Sequence, residues 1–222
     1  MESDTAPRPS TRGRGRPVGA DAEQTRLTIL RAAREVMAER GYHASTFQQI
    51  AARAGVSRPT LHYYFGTREQ VYDVLLTEVG AQVTDCVAQA RREHGLRPQL
   101  TTFITAMQQL SAADPEVMRF LVTARLERCK PPPPRQDAAQ AVVAAVHAFY
   151  DTIVLDAVRR GELAAGTDAH AVADMLASLF WGTAFHAGFL DEAGDGSGVA
   201  RQLLRVLENG LLEQSVKAPV QA

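Results

Sequence analysis

Cysteine is scarce in this 222-residue chain. Cys86 and Cys129 are the only two, without CxxC spacing or neighbouring histidines, which excludes a disulfide framework or zinc site and leaves two half-buried thiols as the expectation. No run of eighteen uncharged apolar residues occurs, and the opening MESDTAPRPSTRGRGRP lacks the apolar stretch of a secretory signal, so a cytoplasmic protein without a membrane span is expected. A Gly-rich phosphate loop, an HExxH helix and a GxSxG elbow are all missing. His147 and Asp151, four apart on a helical pattern, form the one acid–base pair worth naming, and no nucleophile or ligand set accompanies them. An enzyme is therefore disfavoured, and no catalytic residue, metal or cofactor is expected.

What is present is 45% hydrophobic and 22% charged sequence, enough to bury a core in one large or two small domains. Net charge is −1, but its distribution is uneven. Residues 1–80 carry 11 Arg and no Lys against 9 acidic residues, an excess of two positive charges, while the remainder carries 13 basic against 16 acidic residues. Distribution matters more than the sum for a nucleic-acid binder. The most basic stretch is the Pro, Gly and Ser-rich residues 1–20, with Arg8, Arg12, Arg14 and Arg16, which cannot bury enough surface to offset ordering entropy and read as a mobile arm.

From Asp21 the pattern becomes helical, with Leu27, Leu30, Ala33, Arg34 and Met37 at three-to-four spacing, Ile29 and Val36 widening the stripe, and Gly41 as a stop. Thr46-Phe-Gln-Gln49 is a capping box that opens a second helix with Ile50, Ala51 and Ala54 inward. Gly55 permits a tight turn, Val56 plugs the core beneath it, and Ser57 caps a third helix that tolerates Pro59 in its first turn. Leu61 and Phe65 face inward. A second box, Thr67-Arg-Glu-Gln70, starts a long helix whose Val71, Leu75, Val79, Val83 and Val87 form one apolar face. Further helices are predicted at 98–112, 115–129, 137–160, 168–190 and 198–215, divided by Asp114-Pro115, the Pro131–Pro134 run, Gly161, Gly166 and the glycine-rich 194–198 segment. No strand is predicted. The fold class is all-α: an N-terminal three-helix helix-turn-helix domain at 21–66, a larger helical domain at 67–216, and a flexible tail at 217–222.

The most informative stretch is Thr46 to Phe65, a short helix, a glycine turn and a second short helix, the geometry that admits a helix to the major groove, about 12 Å wide. Arg58, Thr60, His62, Tyr63 and Tyr64 distribute over its outer face. Arg58 can form paired hydrogen bonds to guanine, Thr60 and the Tyr hydroxyls can bind phosphate, and a tyrosine ring can pack on a thymine methyl.

The run Thr46-x-x-x-Ile50-Ala-x-x-Ala54-Gly-Val-Ser57-x-x-Thr60-Leu-x-x-Tyr64-Phe65 resembles the TetR/AcrR signature almost position for position and continues through Arg68 and Glu69. The strong resemblance covers residues 23–83. It implies a dimeric transcriptional regulator that binds double-stranded operator DNA through its first three helices, holds a small-molecule effector among the rest, and pairs its last two helices across a homodimer. Carried over by position, it implies that Thr60 and His62 contact phosphates, Tyr63 and Tyr64 reach phosphate or base edges, Arg58 faces base edges, and Arg68 anchors the backbone. Thr46, Gln48, Ser57 and Pro59 complete the expected DNA surface. His62 departs from the tyrosine common at its place, though a neutral imidazole still donates one hydrogen bond. The Arg12-Gly-Arg-Gly-Arg16-Pro segment resembles an AT-hook-like element that sets Arg12, Arg14 and Arg16 into a narrow minor groove; an arm that only aids solubility is the alternative.

In the sensor half, Phe103, Met107, Met118, Leu121, Phe149, Tyr150, Phe180, Trp181 and Phe185 stand at helical spacing, most of them ordinary core. Phe103, Met107, Met118, Leu121, Arg125, His147, Tyr150 and Trp181 are the candidate effector-binding set, suited to an apolar or amphipathic ligand, with Arg125 favouring an anionic group. His186 is a further embedded polar group. The bland alternative pairs Arg125 with Glu127 or Asp114 and the histidines with backbone carbonyls. Small residues Ala177, Ser178, Gly182 and Ala184 let helices pack closely, so 168–190 and 198–215 are the predicted dimer interface. A dimer matters because two recognition helices must stand about 34–36 Å apart, one turn of DNA. Repression relieved by an effector is the leading reading; an activator or a broadly binding nucleoid-type regulator using the basic arm is the alternative.

Overall fold

Helix boundaries in this chain are set by local hydrogen bonds, and the helices are arranged by one shared core. The computed structural model describes residues 18–127, 137–190 and 197–209. Along the chain run α1 (Val18–Arg40), α2 (Phe47–Ala54), α3 (Arg58–Tyr64), α4 (Arg68–Ala90), α5 (Leu96–Ala113), α6 (Glu116–Glu127), α7 (Asp137–Arg159), α8 (Ala169–Phe185) and α9 (Ser197–Asn209). A π-helical turn, His186–Leu190, continues α8. No strand occurs among the described residues, and the fold is all-α. The expectations for the arm with Arg12, Arg14 and Arg16, for Cys129, the Pro131–Pro134 run and the tail lie outside the described residues.

The first helix begins at Val18, three residues before the sequence pattern suggested, and α5 at Leu96, after Gly95 at φ 100°. Leu27, placed on the apolar stripe, is 46% exposed. The stripe is instead Ile29, Leu30, Ala33, Val36 and Met37, all buried, because these positions face α2, α4 and α6 together. At Thr67 the second capping box is incomplete. The Thr67 side chain accepts from the Gln70 amide, but the Gln70 side chain turns to the Gly66 N–H at 2.8 Å.

Buried side chains form one continuous cluster from Ile29, Ile50, Leu61 and Phe65 through Val71, Leu75 and Val79 of α4 to Phe103, Phe120 and Phe149. The chain thus crosses the 66/67 boundary without a break in its core. Helix α7 is long and apolar enough by composition to cross a membrane. Its Val142, Val146, Phe149, Ile153, Val154 and Ala157 are instead buried in the core.

Two contacts fix α6. Asp114, between α5 and α6, accepts from the Glu116 amide at 3.2 Å and pairs with Arg34 of α1 at 2.6 Å. On the opposite side the π-turn presses its backbone onto α6, since a Cβ added at Gly188 would stand 2.8 Å from the N and Cα of Arg119. The Arg119 guanidinium lies 5.2 Å from the centroid of Phe189, which stacks on Phe185. Helix α6 is therefore held between α1 and the π-turn. Because backbone cannot yield as a flexible side chain does, Gly188→Ala is expected to destabilise by about 1–3 kcal/mol, lowering Tm by roughly 2–4 °C for each kcal/mol in a chain of this size. A thermal melt matching the wild type would show that the approach is looser than described.

Candidate nucleic-acid interface and internal cavity

The α2–α3 unit is built from caps outward. Thr46 accepts from the Gln49 amide at 3.3 Å, and the Gln49 side chain accepts from the Thr46 N–H at 2.9 Å, satisfying two first-turn donors reciprocally. Helix α2 ends in a left-handed residue, Gly55 at φ 67°, whose N–H reaches the Ala52 carbonyl while that of Val56 reaches Ala51. This pair of bonds is the Schellman closure, and it reverses the chain within two residues. Ser57 then caps α3 by accepting from the Thr60 amide at 3.1 Å. Leu61 and Phe65 are buried and lock α3 down, and Arg26 of α1 covers the Phe65 ring at 5.7 Å.

The structure leaves Thr46, Gln48, Ser57, Arg58, Pro59, His62 and Tyr63 exposed on the α2–turn–α3 segment, with Thr60 partly buried. Tyr63 is 84% exposed. Tyr64 is half-buried against the core, edge-on to Tyr63 at 5.2 Å. The His62 ring packs edge-on to Phe47 at 4.8 Å, so it also braces α3 against α2. Ser57 Oγ and Thr60 Oγ1 share a 2.7 Å hydrogen bond, leaving one of their two protons for an outside acceptor.

Arg68 is placed differently from its expected role. Its Nη1 donates to the Ser45 carbonyl at 2.8 Å, its guanidinium covers Tyr42 at 4.2 Å, and Nη2 lies 3.6 Å from Glu69. The Tyr42 hydroxyl donates to Glu69 at 2.6 Å, which holds that carboxyl below the usual range, while burial pushes the Tyr42 hydroxyl up. Arg68 thus fastens α4 to the α1–α2 loop. Arg53 likewise bridges α2 to α1, meeting Glu39 through two bonds of 2.9 Å and Glu35 at 3.1 Å. Its bonds hold the Glu39 carboxyl below its ordinary value.

Within the helical half, a cavity with an enclosed volume of about 80 Å³ lies among α5, α6, α7, α8 and α9. Of the candidate effector set, Phe103, Met107, Met118 and Tyr150 line it. Leu121, Arg125 and Trp181 border a separate, smaller space of about 10 Å³ with Leu76 and Val79 of α4 and Val142. His147 borders neither; its ring stands 3.8 Å from Asp174 of α8. The supposed His147–Asp151 pair does not form, because both residues turn toward α8, where Asp151 meets His170 at 3.4 Å. Asp114 serves Arg34 and not Arg125. Ala177 and Ala184 are buried within the protomer, leaving Ser178 and Gly182 as the small groups on the outer face of α8.

Sequence reasoning missed Leu100, Ile104, Gln108, Thr183, Ala187 and Leu203 as cavity lining. Periodicity marks such residues as inward-facing, but it cannot say which inward positions border a void. Cys86 is buried, and burial pushes its thiol up to about 11. A thiol that stays protonated is a poor redox sensor.

Comparison with known proteins places this geometry among regulators. Residues 29–75 match the model of bacterial regulatory proteins of the tetR family, and residues 120–203 match a tetracyclin repressor-like C-terminal domain. The HTH-type transcriptional repressor BepR of Brucella suis biovar 1 is 29% identical over 177 residues, 78% of this chain and 82% of that protein. The HTH-type transcriptional activator FasR of Mycolicibacterium smegmatis is 37% identical over 118 residues, half of each. The transcriptional regulator FadR of Bacillus subtilis, solved in complex with stearoyl-CoA, superposes with a TM-score of 0.63 at 23% identity, covering 83% of this chain and 98% of that one.

Anchoring and outward groups on α3 separate cleanly by stability. Leu61→Ala is expected to cost about 2–5 kcal/mol as a core truncation, whereas Tyr63→Ala should stay within about 0.5 kcal/mol as a surface change. Urea unfolding of both variants checks this, and a large loss in Tyr63→Ala would mean that the ring is structural.

Proposed function

The chain belongs to the tetR family of bacterial regulatory proteins, and from that premise we propose that this DNA-binding transcriptional regulator is a cytoplasmic homodimeric repressor released from a palindromic operator by a small apolar or amphipathic effector. The observation that carries the reading is α3: a seven-residue helix pinned by buried Leu61 and Phe65 that leaves Arg58, His62 and Tyr63 free to meet a groove. Arg58 is the base-edge reader. Thr46, Gln48, Ser57, Pro59, Thr60, His62, Tyr63 and Tyr64 supply the surrounding phosphate and sugar contacts, which fix register. Arg68 acts through the protein, by holding α4 against the Tyr42–Ser45 loop.

The effector occupies this cavity, whose enclosed volume of about 80 Å³ is below the roughly 300–1,000 Å³ of occupied small-molecule sites, so the surrounding helices part to admit it. The stearoyl-CoA held by FadR supports an acyl chain as the class that fills it. Effector binding shifts α6, and because α6 is tied to α1 through Asp114–Arg34, the helix-turn-helix moves with it. The ligand switches the protein only by preferring one arrangement over the other. Met175, Leu179, Phe185 and Leu190 are exposed apolar side chains on α8 and the π-turn, and together with Ser178 and Gly182 they supply the dimer face, with α9 beside it. An activator is the second reading, favoured by the likeness to the activator FasR over half of the chain.

A gel-shift titration on the DNA upstream of the chain's own gene, at two salt concentrations, tests the assignment. A shift that weakens with salt is expected, with Arg58→Ala losing roughly 5- to 150-fold in affinity, the worth of one paired guanine contact. No shift on any neighbouring promoter overturns the operator-reader assignment. Sedimentation of Met175→Glu is expected to show monomers where the wild type is dimeric; an unchanged dimer would move the interface off α8.

A further inference from the structure

The cavity has a property beyond its size. Among the described residues that line it none is charged, and its polar groups reduce to Gln108, Ser111, Thr183 and Tyr150. Arg125, the cation expected to draw an anionic ligand, borders the smaller space beside Trp181. The Thr183 hydroxyl is committed to the Phe180 carbonyl at 2.8 Å. Tyr150 differs from these. It is 4% exposed, its ring is held by Phe103 at 5.8 Å and Phe149 at 5.4 Å, and no hydrogen bond from the described residues reaches its hydroxyl. Burial alone acts on that hydroxyl, raising its pKa, so it remains a neutral donor.

A phenol in the lining of an otherwise apolar cavity offers a ligand one hydrogen-bond donor. The ligand's partner group must also tolerate an uncharged, water-poor lining. A carboxylate does not, since moving it from water without a cation loses far more than one hydrogen bond returns. A carbonyl does, because it accepts one hydrogen bond and carries no charge. We propose that the cavity is selective for the uncharged carbonyl end of an acyl chain, an ester, thioester, ketone or lactone, whose oxygen accepts from Tyr150 Oη, and that it rejects the free carboxylate of the same chain. This rests on the reading of the cavity as the effector site, and it makes Tyr150 the residue that sets effector specificity.

The test uses the full-length, delipidated protein and a neutral fluorescent probe, N-phenyl-1-naphthylamine, displaced at pH 7.4 by methyl decanoate or by decanoate. The wild type is expected to bind the ester at least tenfold more tightly than the anion. Tyr150→Phe, which keeps the ring and its packing, is expected to weaken the ester by about 2- to 12-fold, the value of one neutral hydrogen bond, while leaving probe affinity within twofold. Decanoate displacing the probe as well as the ester does, or Tyr150→Phe binding the ester like the wild type, overturns the proposal. The first comparison needs no variant and stands even if Tyr150→Phe folds poorly. If the wild type binds neither the probe nor either ligand, the effector-cavity reading itself fails, a result distinct from loss of selectivity.

Discussion

The carboxylate of Asp114 holds the sensor and the reader together. It sits where α5 ends, receives the first free amide of α6, and meets Arg34 of α1, whose side chain is only 13% exposed. A charge pair so shielded carries a desolvation cost that an exposed one does not, and losing one partner would leave the other charge without compensation. Geometry matters more here than energy, because the same group sets where α6 begins and where α1 rests against it.

From that joint the logic of the fold follows. Helix α6 meets α1 on one side and the π-turn on the other, with backbone touching backbone at Gly188. Met118 of the same helix faces the cavity, as do Ala184 at the end of α8 and Ala187 in the π-turn. A molecule wedged among these side chains therefore presses on a helix with little slack. Close-packed interiors transmit such displacement rather than absorbing it. At the far end, Arg68 and Arg53 tie α1, α2 and the start of α4 to one another through side-chain hydrogen bonds.

The readable parts of the sequence were those with local causes. Thr46, Gln49, Gly55 and Ser57 act within four residues of themselves, and their hydrogen bonds form as the spacing implies. Leu61 and Phe65 were legible because one helical turn separates them. Longer-range pairings were not. Arg34 stood inside an apolar stripe, a hint of a shielded ion pair, but its partner lies eighty positions on and no pattern names it. His147 and Asp151 had the right spacing to meet, yet α8 offers each a different partner, Asp174 and His170. Arg125 and Trp181 group with Phe103 and Tyr150 in the sequence because all four interrupt or thicken an apolar pattern. Only the packing of α4 against α7 shows that they border different spaces.

The internal use of arginine in the reader domain has a further consequence. Arg26 covers Phe65, Arg34 meets Asp114, Arg53 meets Glu35 and Glu39, and Arg68 holds the Ser45 carbonyl, so four guanidinium groups of this small unit are engaged within the protein. Attachment to arbitrary DNA depends on the number of phosphates neutralised and the counterions released with them. Each guanidinium committed to a carboxylate, a ring or a carbonyl of the protein is, among the described residues, one fewer to pair with the phosphates of random sequence. Where many sites compete, a smaller phosphate count lowers non-specific attachment more than it lowers short-range fit, and so raises the ratio of specific to non-specific binding.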